Sequence, residues 1–300
     1  MNMQSWLQPF AAYLIEKRGV APSTGQSYQS DMADFLAYTD LQQIREPDEL
    51  KPHHITAYLN ELRQQGRSTA TISRRMVTIR TFCKFLALER AVSYNPAMQL
   101  ESPKADKKTP AVLTSSQLDK LLQLPDTAKE HGLRDRAILE VLYATGLRVS
   151  EMTSLNVEHV RLDMGFLLCL GSGGRERMVP IGSHGAFWVT RYLKDARGRL
   201  LYDAETEQDA LFVNAAGRRL TRQGFWKIIK KYADQLGVQM TPHTLRHSFA
   251  AHMLENGADV RAVQEMMGHS APSSTQIYQA AAKLKIKEVY DRSHPRARSD

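Results

Sequence analysis

The sequence predicts a mainly α-helical protein of two domains, and three observations lead to this prediction. Apolar residues recur at helical spacing along most of the 300 residues, as in helices that bury one face. Around residues 101–111 the composition turns to proline and lysine with few apolar side chains, which is typical of an exposed linker. A strand pattern stands out in "GFLLCLGSGGRERMVPIG", where two apolar runs flank a glycine-rich turn and predict a small antiparallel β-sheet. The predicted domains are residues 1–100 and 112–300.

The first domain is predicted to be a compact bundle of four helices. The first helix ends at Gly19, the second begins at Pro22, the third ends at Gly66 and the fourth begins after Ser68. Proline in a first turn, serine as an N-cap and glycine just past a last turn are common helix boundaries. The fourth helix is predicted to turn Ile72, Met76, Ile79, Phe82, Cys83 and Leu86 inward, and Arg67, Arg74, Arg75 and Lys84 outward.

The second domain is predicted to open with a helix that Thr114 and Gln117 cap as a capping box. A further helix, "RDRAILEVLYATG", ends at Gly146, and "LRVSEMTSL" begins the next one directly. After the hairpin the predicted helices are "RQGFWKIIKKYADQLG", "TPHTLRHSFAAHML", "DVRAVQEMMGHS" and the tail "AAKLKIKEVYDRSHPRARSD".

Composition narrows the class of protein. The hydrophobic fraction of 42% is enough for a buried core, and no apolar run approaches the roughly 18 residues of a membrane span. The N-terminal sequence shows no secretion signal, so we expect a cytoplasmic protein in which Cys83 and Cys169 are buried thiols. The net charge of +8 and the isoelectric point near 9.4 favour a polyanionic partner.

One arginine lies on the wrong side of its predicted helix. In "TPHTLRHSFAAHML", Arg246 projects into the arc shared by Leu245, Phe249 and Met253, where a cation is costly unless it meets an anion. A structural salt bridge to a buried carboxylate is one interpretation. The alternative is an anion site, because Arg148 also stands at a helix start, where backbone N–H groups favour anions.

Other residues extend this candidate anion site. Glu151 follows Arg148 by three residues and is placed to orient it, and two forked cations beside helix-start amides resemble a phosphate clamp. His243 adds a group that exchanges protons near neutral pH. His243 and His247 have the spacing of zinc ligands, but "HTLRH" lacks the zinc-protease glutamate and contains a cation, so we predict no metal.

The motifs, taken in order, resemble the tyrosine recombinases, most closely the bacterial Xer-type chromosome-dimer resolvases. They are Arg148 in "ATGLRVSEM", "HTLRH" with His243 and Arg246, "GHS" with His269, and "TQIY" with Tyr278. The resemblance covers nearly the whole chain, including the hairpin and the tail "LKIKEVYDRSHPRA". It implies the tyrosine recombinase fold: a SAM-like core-binding domain at residues 1–100, a linker at 101–111, and a catalytic domain at 112–300 that ends in a subunit-exchange tail.

The resemblance also implies residue roles. Tyr278 would attack a DNA phosphodiester, leaving a 3′-phosphotyrosyl link and a free 5′-hydroxyl. Arg148 and Arg246 would bind the non-bridging oxygens, His243 would help deprotonate the tyrosine, and His269 would hydrogen-bond the phosphate. These residue types suit the reaction, because a phenol of pKa ~10 needs help to ionise and arginines stabilise the charge of the transition state. We expect no cofactor, since the covalent link conserves the bond energy and no phosphate-binding loop motif is present.

The chain departs from the family in the hairpin turn. Where members usually read "GKGxKxR", with a lysine that protonates the leaving 5′-oxygen, this chain reads "GSGGRER". Ser172 occupies the lysine position and Arg175 the second basic position. Serine cannot supply the proton at neutral pH; a water, Arg175 or His269 is left as a partial substitute, although arginine is a poor proton donor. Loss of a general acid typically costs ~10²–10⁴-fold in rate, so we expect slowed cleavage.

The predicted partner is a double-stranded DNA recombination site. Candidate DNA contacts are Arg74, Arg75, Arg80, Arg219, Arg222 and Lys227, although each is also compatible with an ordinary solvated surface. The resemblance implies a homo-tetramer, or a hetero-tetramer with a second recombinase, and it leaves open an FtsK-type DNA translocase as a further partner. The tail, with Leu284, Ile286 and Val289 able to pack, would dock on a neighbouring subunit; an ordinary terminal helix on its own domain is the alternative.

Three other functions stay open beside chromosome dimer resolution. A mobile-element integrase would use the same chemistry on another site. A type IB topoisomerase would use it without bringing two sites together, and the Xer-like first domain and the tail argue against that. A DNA-binding member that cuts weakly or not at all is the alternative that Ser172 suggests.

Overall fold

The computed structural model describes residues 2–100, 111–171, 176–201, 209–268 and 279–297, with the backbone alone for Ser23 and for residues 279–285. The chain divides into two compact units, Met1–Lys108 and Thr109–Asp300. Residues 101–110 lie outside the described part, so the conformation of the linker at 101–111 stays a prediction.

Within residues 2–100, the described part of the first unit, four α-helices share a hydrophobic core of their own. Met3–Trp6 forms a 3₁₀ turn ahead of the first α-helix, and the Met3 N–H donates to Arg45 O at 2.6 Å. Ser68 caps the fourth helix, its hydroxyl accepting from the Thr71 N–H at 3.2 Å, as predicted. The helices are α1 (Leu7–Glu16), α2 (Pro22–Leu41), α3 (Pro52–Gln64) and α4 (Thr69–Leu88).

The inward face of α4 is confirmed, and one residue of its predicted outward face is not. All six of the predicted core residues are buried. Arg75 is half-buried: its guanidinium donates to the Tyr58 hydroxyl and the Asp34 carboxylate. The outward placement of Arg75 was therefore wrong, because acceptors on α2 and α3 complete a network that spacing along α4 does not reveal.

The second unit holds the small sheet within a mainly helical fold. Three antiparallel strands lie in the order β1 (Val160–Arg161), β2 (Phe166–Leu170) and β3 (Glu176–Pro180). The predicted hairpin is β2–β3, and the two-residue β1 is too short for the alternation test that predicts strands. The register of the β2–β3 hairpin pairs Cys169 with Arg177 and Leu167 with Val179.

Nine helices of the second unit lie within the described residues, and the predicted Thr114–Gln117 capping box is formed. A π-helical segment, Leu193–Arg197, joins two of the helices. The helices are α5 (Ser115–Gln123), α6 (Glu130–Thr145), α7 (Val149–Ser154), α8 (Gly182–Tyr192), α9 (Gly198–Leu200), α10 (Arg222–Leu236), α11 (Pro242–Glu255), α12 (Val260–Met266) and α13 (Gln279–Ser293).

Helix α6 runs through the core of the second unit and ends at a glycine that has two roles. Gly146 takes a left-handed conformation with φ of 58°, which favours glycine. A Cβ there would lie 2.5 Å from Cδ1 of Phe249 on α11, so glycine also permits the close approach of α11. The turn at Gly146 then leads directly to Arg148.

The tail packs on the second unit of its own chain. Tyr290 and His294 are buried in the unit's interior, and the Ser183 N–H donates to Ala297 O at 2.8 Å. The single chain thus shows the alternative of a terminal helix on its own domain, and docking on a neighbouring subunit stays a prediction.

Cys83 and Cys169 are buried free thiols, as predicted. Within the described ranges, no cluster of three or more histidine, cysteine, aspartate or glutamate side chains is arranged to hold a metal ion. In the same part of the chain, no helix combines the length and apolar character needed to cross a bilayer.

Candidate active site

Arg148 and Glu151 form a local unit at the start of α7. Arg148 is the N-cap residue, and its backbone N–H donates to Glu151 Oε2 at 2.8 Å while its Nη1 donates to Oε1 at 3.1 Å. The carboxylate thus fixes both the backbone and the guanidinium of Arg148, in agreement with the three-residue spacing. The Arg148 side chain remains 38% exposed, so it can still reach a ligand.

Arg246 is buried beside this unit and donates to backbone carbonyls. Its residue is 6% exposed, and its guanidinium donates to Gly146 O and, at 2.6 Å, to Met267 O. Burial, followed by the neighbouring charge of Arg148, lowers the pKa of Arg246 to about 10. The side chain remains protonated at neutral pH, in a position where an added anion would stabilise it.

A third arginine, Arg177 on β3, completes the cluster. Its Nη1 and Nη2 donate to Glu151 Oε1 and Oε2 at 2.6 and 2.9 Å, a bidentate pairing that is among the strongest ion pairs. Its Nε donates to Met266 O at 3.2 Å. Sequence reasoning missed this residue and favoured Arg175, which is outside the described part of the chain.

The three arginines bind successive carbonyls at the end of α12. Arg177 binds Met266 O, Arg246 binds Met267 O, and Arg148 Nη2 binds Gly268 O at 3.2 Å. The carbonyl end of a helix carries partial negative charge. The end of α12 is therefore held by cations from three separate elements, directly before the segment that begins with His269.

The cluster carries excess positive charge. Glu151 is 4% exposed, and burial alone would raise its pKa, but hydrogen bonds from Arg177 and the Arg148 backbone and the charges of both arginines keep its pKa below the usual value. Glu151 is thus the ionised partner of two guanidinium groups, those of Arg148 and Arg177, which leaves a net charge of +1 among these three described side chains. Such a surplus attracts an anion.

A pocket of about 230 Å³ opens onto this charge. His243 lies at its edge, exposed in the first turn of α11. Burial and the nearby charges of His243 and Arg246 lower the pKa of His247. The pocket is lined by Leu147, Arg148, Val149, Ser150, Arg222, Trp226, Pro242, His243 and Arg246.

The structure brings together Arg148, Glu151, His243 and Arg246 of the predicted site. The remaining predicted members, Ser172, Arg175, His269 and Tyr278, lie outside the described residues.

The candidate DNA contacts differ in their surroundings. In the first unit, Arg74 is partly exposed and paired with Asp31, Arg75 is engaged as described above, and Arg80 donates to Leu100 O. In the second unit, Arg219 donates to Thr153 O and Leu155 O at 3.1 Å and to Asn156 Oδ1 at 2.8 Å, which indicates a structural role. Arg222 and Lys227 are exposed on α10.

Two residues that the sequence analysis did not select belong to the site. Arg177 lies opposite buried Cys169 in the hairpin and therefore points to the same face of the sheet; strand alternation with buried Val179 would have indicated this. Trp226 is 45% exposed and lines the pocket, a position that the "RQGFW" pattern alone does not reveal.

Family models match both units of the chain. Residues 111–285 match the phage integrase family, and residues 7–90 match the N-terminal SAM-like domain of phage integrases. A tyrosine recombinase XerD from Oceanobacillus iheyensis is 45% identical over 97% of this chain and 98% of its own length. A tyrosine recombinase XerD from Listeria monocytogenes is 41% identical over 98% of this chain and all of its own length.

Solved structures support the same fold. A lambda integrase dimer bound to a core site matches with a TM-score of 0.69 at 16% identity, covering 92% of this chain and all of that chain. The XerH site-specific recombinase, solved in a post-cleavage complex with a palindromic difH substrate, matches with a TM-score of 0.69 at 21% identity, covering 91% of this chain and 81% of that one. This chain therefore belongs to the phage integrase family, as a site-specific tyrosine recombinase of the Xer type.

Proposed function

We propose that this recombinase cleaves and rejoins duplex DNA through a 3′-phosphotyrosyl intermediate, with Tyr278 as the nucleophile. The observation that carries the proposal is that Arg148, which with Arg177 and Glu151 forms a group of net charge +1, lines one pocket together with Arg246 and His243. A phosphodiester carries one negative charge, and the pentacoordinate transition state gathers a second one on its equatorial oxygens. Positive charge at this pocket therefore stabilises the transition state more than the ground state, which is the condition for catalysis.

In the proposed reaction the Tyr278 oxygen bonds to phosphorus while the bond to the 5′-oxygen breaks. Arg148 and Arg246 bind the non-bridging oxygens, and His269 donates a further hydrogen bond to the phosphate. His243, which is exposed in the first turn of α11, helps remove the phenolic proton as a general base. The 5′-oxygen leaves as a hydroxyl after taking up a proton, and rejoining reverses these steps on a new 5′-hydroxyl.

The proton for the leaving oxygen is where this chain differs from the family pattern. Ser172 stands at the lysine position and Arg175 at the second basic position; serine and arginine both hold their protons too tightly to be effective acids at neutral pH. We propose that solvent water supplies this proton and that cleavage is slow. A DNA-binding member with weak or absent cleavage is the second candidate function, and Ser172 is the observation that favours it.

The biological reaction that we propose is resolution of chromosome dimers in the cytoplasm, on the basis of the XerD relatives at 41–45% identity; a mobile-element integrase is the alternative. The lambda integrase structures include a tetramer bound to a Holliday junction, and we propose a tetramer on DNA here too, either of this chain alone or with a second recombinase. An FtsK-type translocase is proposed as a further partner.

Trapping a covalent adduct tests the proposal. A nicked suicide substrate that carries the recombination site lets the 5′-end diffuse away after cleavage, so a protein–DNA adduct accumulates. We expect an adduct with the unaltered chain and none with Tyr278→Phe, which keeps the ring and removes the attacking oxygen. Binding without an adduct, even after long incubation, would support the DNA-binding alternative, and relaxation of supercoiled DNA that lacks the site would indicate a topoisomerase.

A further inference from the structure

Arg177 is the one member of the arginine cluster that does not line the pocket. It is more enclosed than Arg148, with a side-chain exposure of 17% against 38%. Three of its five N–H donors bind protein acceptors, two on Glu151 and one on Met266 O. A guanidinium whose donors are engaged in this way acts on a substrate through the groups that it holds.

Those groups are parts of the proposed phosphate site. Glu151 orients Arg148 through both its backbone and its side chain, and the carbonyls that follow Met266 bind Arg246 and Arg148. Arg177 therefore ties together the element that carries Arg148 and the end of α12, which is the last described position before His269. We propose that Arg177 is a positioning residue of the recombination reaction, one that holds Glu151 and the end of α12 so that Arg148 meets the scissile phosphate.

Gly268 supplies independent support for a tight fit around Arg177. Its φ is 64°, and a Cβ on Gly268 would lie 2.9 Å from Cζ and Nη1 of Arg177. Glycine at this position allows the backbone to lie against the guanidinium while its carbonyl binds Arg148. The contact thus depends on close approach as well as on charge.

The charged groups around Glu151 predict how the pKa of Glu151 would change if Arg177 were replaced. Glu151 faces Arg148 and Arg177, and the charge of Arg246 on α11 and the Cys169 thiol on β2 interact with it as well. Without Arg177, burial opposes ionisation of Glu151 with one fewer cation to offset it, so the pKa of Glu151 rises. Once Glu151 is protonated, it binds the Arg148 guanidinium less tightly.

The inference rests on the proposed role of Arg148, so the experiment tests both residues by single-turnover cleavage of the nicked substrate. We expect Arg177→Met to lower the cleavage rate ~10²-fold at neutral pH, the scale of a small misplacement of a catalytic group, and Arg177→Lys to lose less. The ratio of wild-type to Arg177→Met rates should grow as the pH falls, up to ~10-fold per pH unit below the raised pKa. Arg161→Met, the same change at an exposed position on β1, should leave rate and pH profile unchanged.

Two further variants separate the possible outcomes. Gly268→Ala should lower the rate with Arg177 still present, and it covers the case in which Arg177→Met fails to fold. Arg148→Gln tests the proposed function itself. Cleavage at the wild-type rate by that variant would show that Arg148 does not bind the scissile phosphate. If Arg148→Gln is inactive while Arg177→Met keeps the wild-type rate, or loses rate and thermal stability together with an unchanged pH profile, the proposed role of Arg177 is wrong.

Discussion

Glu151 and Glu140 each bind two arginines inside the same unit, but the two clusters differ in charge. Glu140 on α6 accepts from Arg136 Nε at 3.1 Å and from Arg296 Nη2 at 2.7 Å. Arg296 also lies 3.5 Å from the Asp119 carboxylate, so two cations meet two carboxylates. The Arg136 guanidinium lies 4.6 Å from the Trp188 ring centre. This cluster is neutral as built.

The Glu151 cluster instead contains two guanidinium groups, those of Arg148 and Arg177, and one carboxylate. Burying a charge is unfavourable unless an opposite charge compensates it. The Glu140 cluster is compensated by the protein, whereas the Glu151 cluster remains positive beside an open pocket. The comparison indicates that net charge, rather than the presence of buried arginines, distinguishes a ligand site from a structural ion-pair network.

The largest expected effect is on the cleavage rate and comes from position 172. A general acid there would supply the proton for the leaving oxygen, which fixed positive charge does not provide. Ser172→Lys should raise the single-turnover cleavage rate ~10²–10⁴-fold, the usual contribution of a general acid, since a lysine ammonium releases a proton more readily than serine or arginine. Ser172→Met gives a side chain of similar length without an acidic proton and should bring no gain. A lysine variant that is no faster than the unaltered chain would show that this position is wrongly assigned.

The neutral Glu140 cluster should contribute to stability and have little effect on the rate of DNA cleavage. Glu140→Gln leaves Arg136 and Arg296 with one carboxylate between them, and breaking a buried ion pair typically costs ~3–5 kcal/mol of unfolding free energy. Urea unfolding measures this change, and Glu130→Gln, whose exposed carboxylate contacts Arg199, is the matched control with little change expected. Cleavage by folded Glu140→Gln should stay near the wild-type rate; a large loss of cleavage with full stability would place this cluster in the active site instead.

The same contrast explains what the sequence predicted and what it did not. Helix ends at Ser68, Thr114 and Gly146 follow from residues within one turn of each boundary, and the Arg148–Glu151 pair follows from a three-residue spacing. These features are local. The place of Arg246 on a packing face also follows from helical spacing, although its carbonyl partners do not.

The contacts that escaped prediction join residues distant along the chain. Arg177 meets Glu151 across 26 residues, and Arg296 meets Glu140 across 156. Helix α6 is buried on all sides, so its charged residues carry no amphipathic pattern, and partners from other elements decide which of them are compensated. Arg75 was placed on a solvent face for the same reason.

A third variant tests the arginines of the pocket directly, through Arg246. Arg246→Gln should lower single-turnover cleavage ~10²–10³-fold, the cost of removing one preorganised group that stabilises a transition-state anion. Removal of the Arg246 cation relieves repulsion from Arg148, so the free energy of unfolding in urea should change less than it does in Glu140→Gln. Arg191→Gln, at a more exposed arginine on α8 that contacts Asp195, is the control for the substitution. Wild-type cleavage by Arg246→Gln would contradict the assignment.

The smallest effects are expected for basic residues proposed to contact DNA. Exposed cations should change DNA affinity, whereas arginines with internal hydrogen bonds should change stability. Arg222 and Lys227 are exposed on α10, and Arg222 also lines the pocket. Each phosphate contact adds ~0.9 to the dependence of log K on log salt concentration, so Arg222→Ala and Lys227→Ala should each reduce the slope by ~1 while affinity falls modestly. Arg75→Ala and Arg219→Ala remove internal hydrogen bonds and should lower stability without changing the slope. Binding titrations at several salt concentrations, paired with urea unfolding, measure both quantities. A reduced slope for Arg75→Ala at full stability would indicate that Arg75 contacts DNA. It would mean that a DNA phosphate competes successfully with Tyr58 and Asp34 for the Arg75 guanidinium.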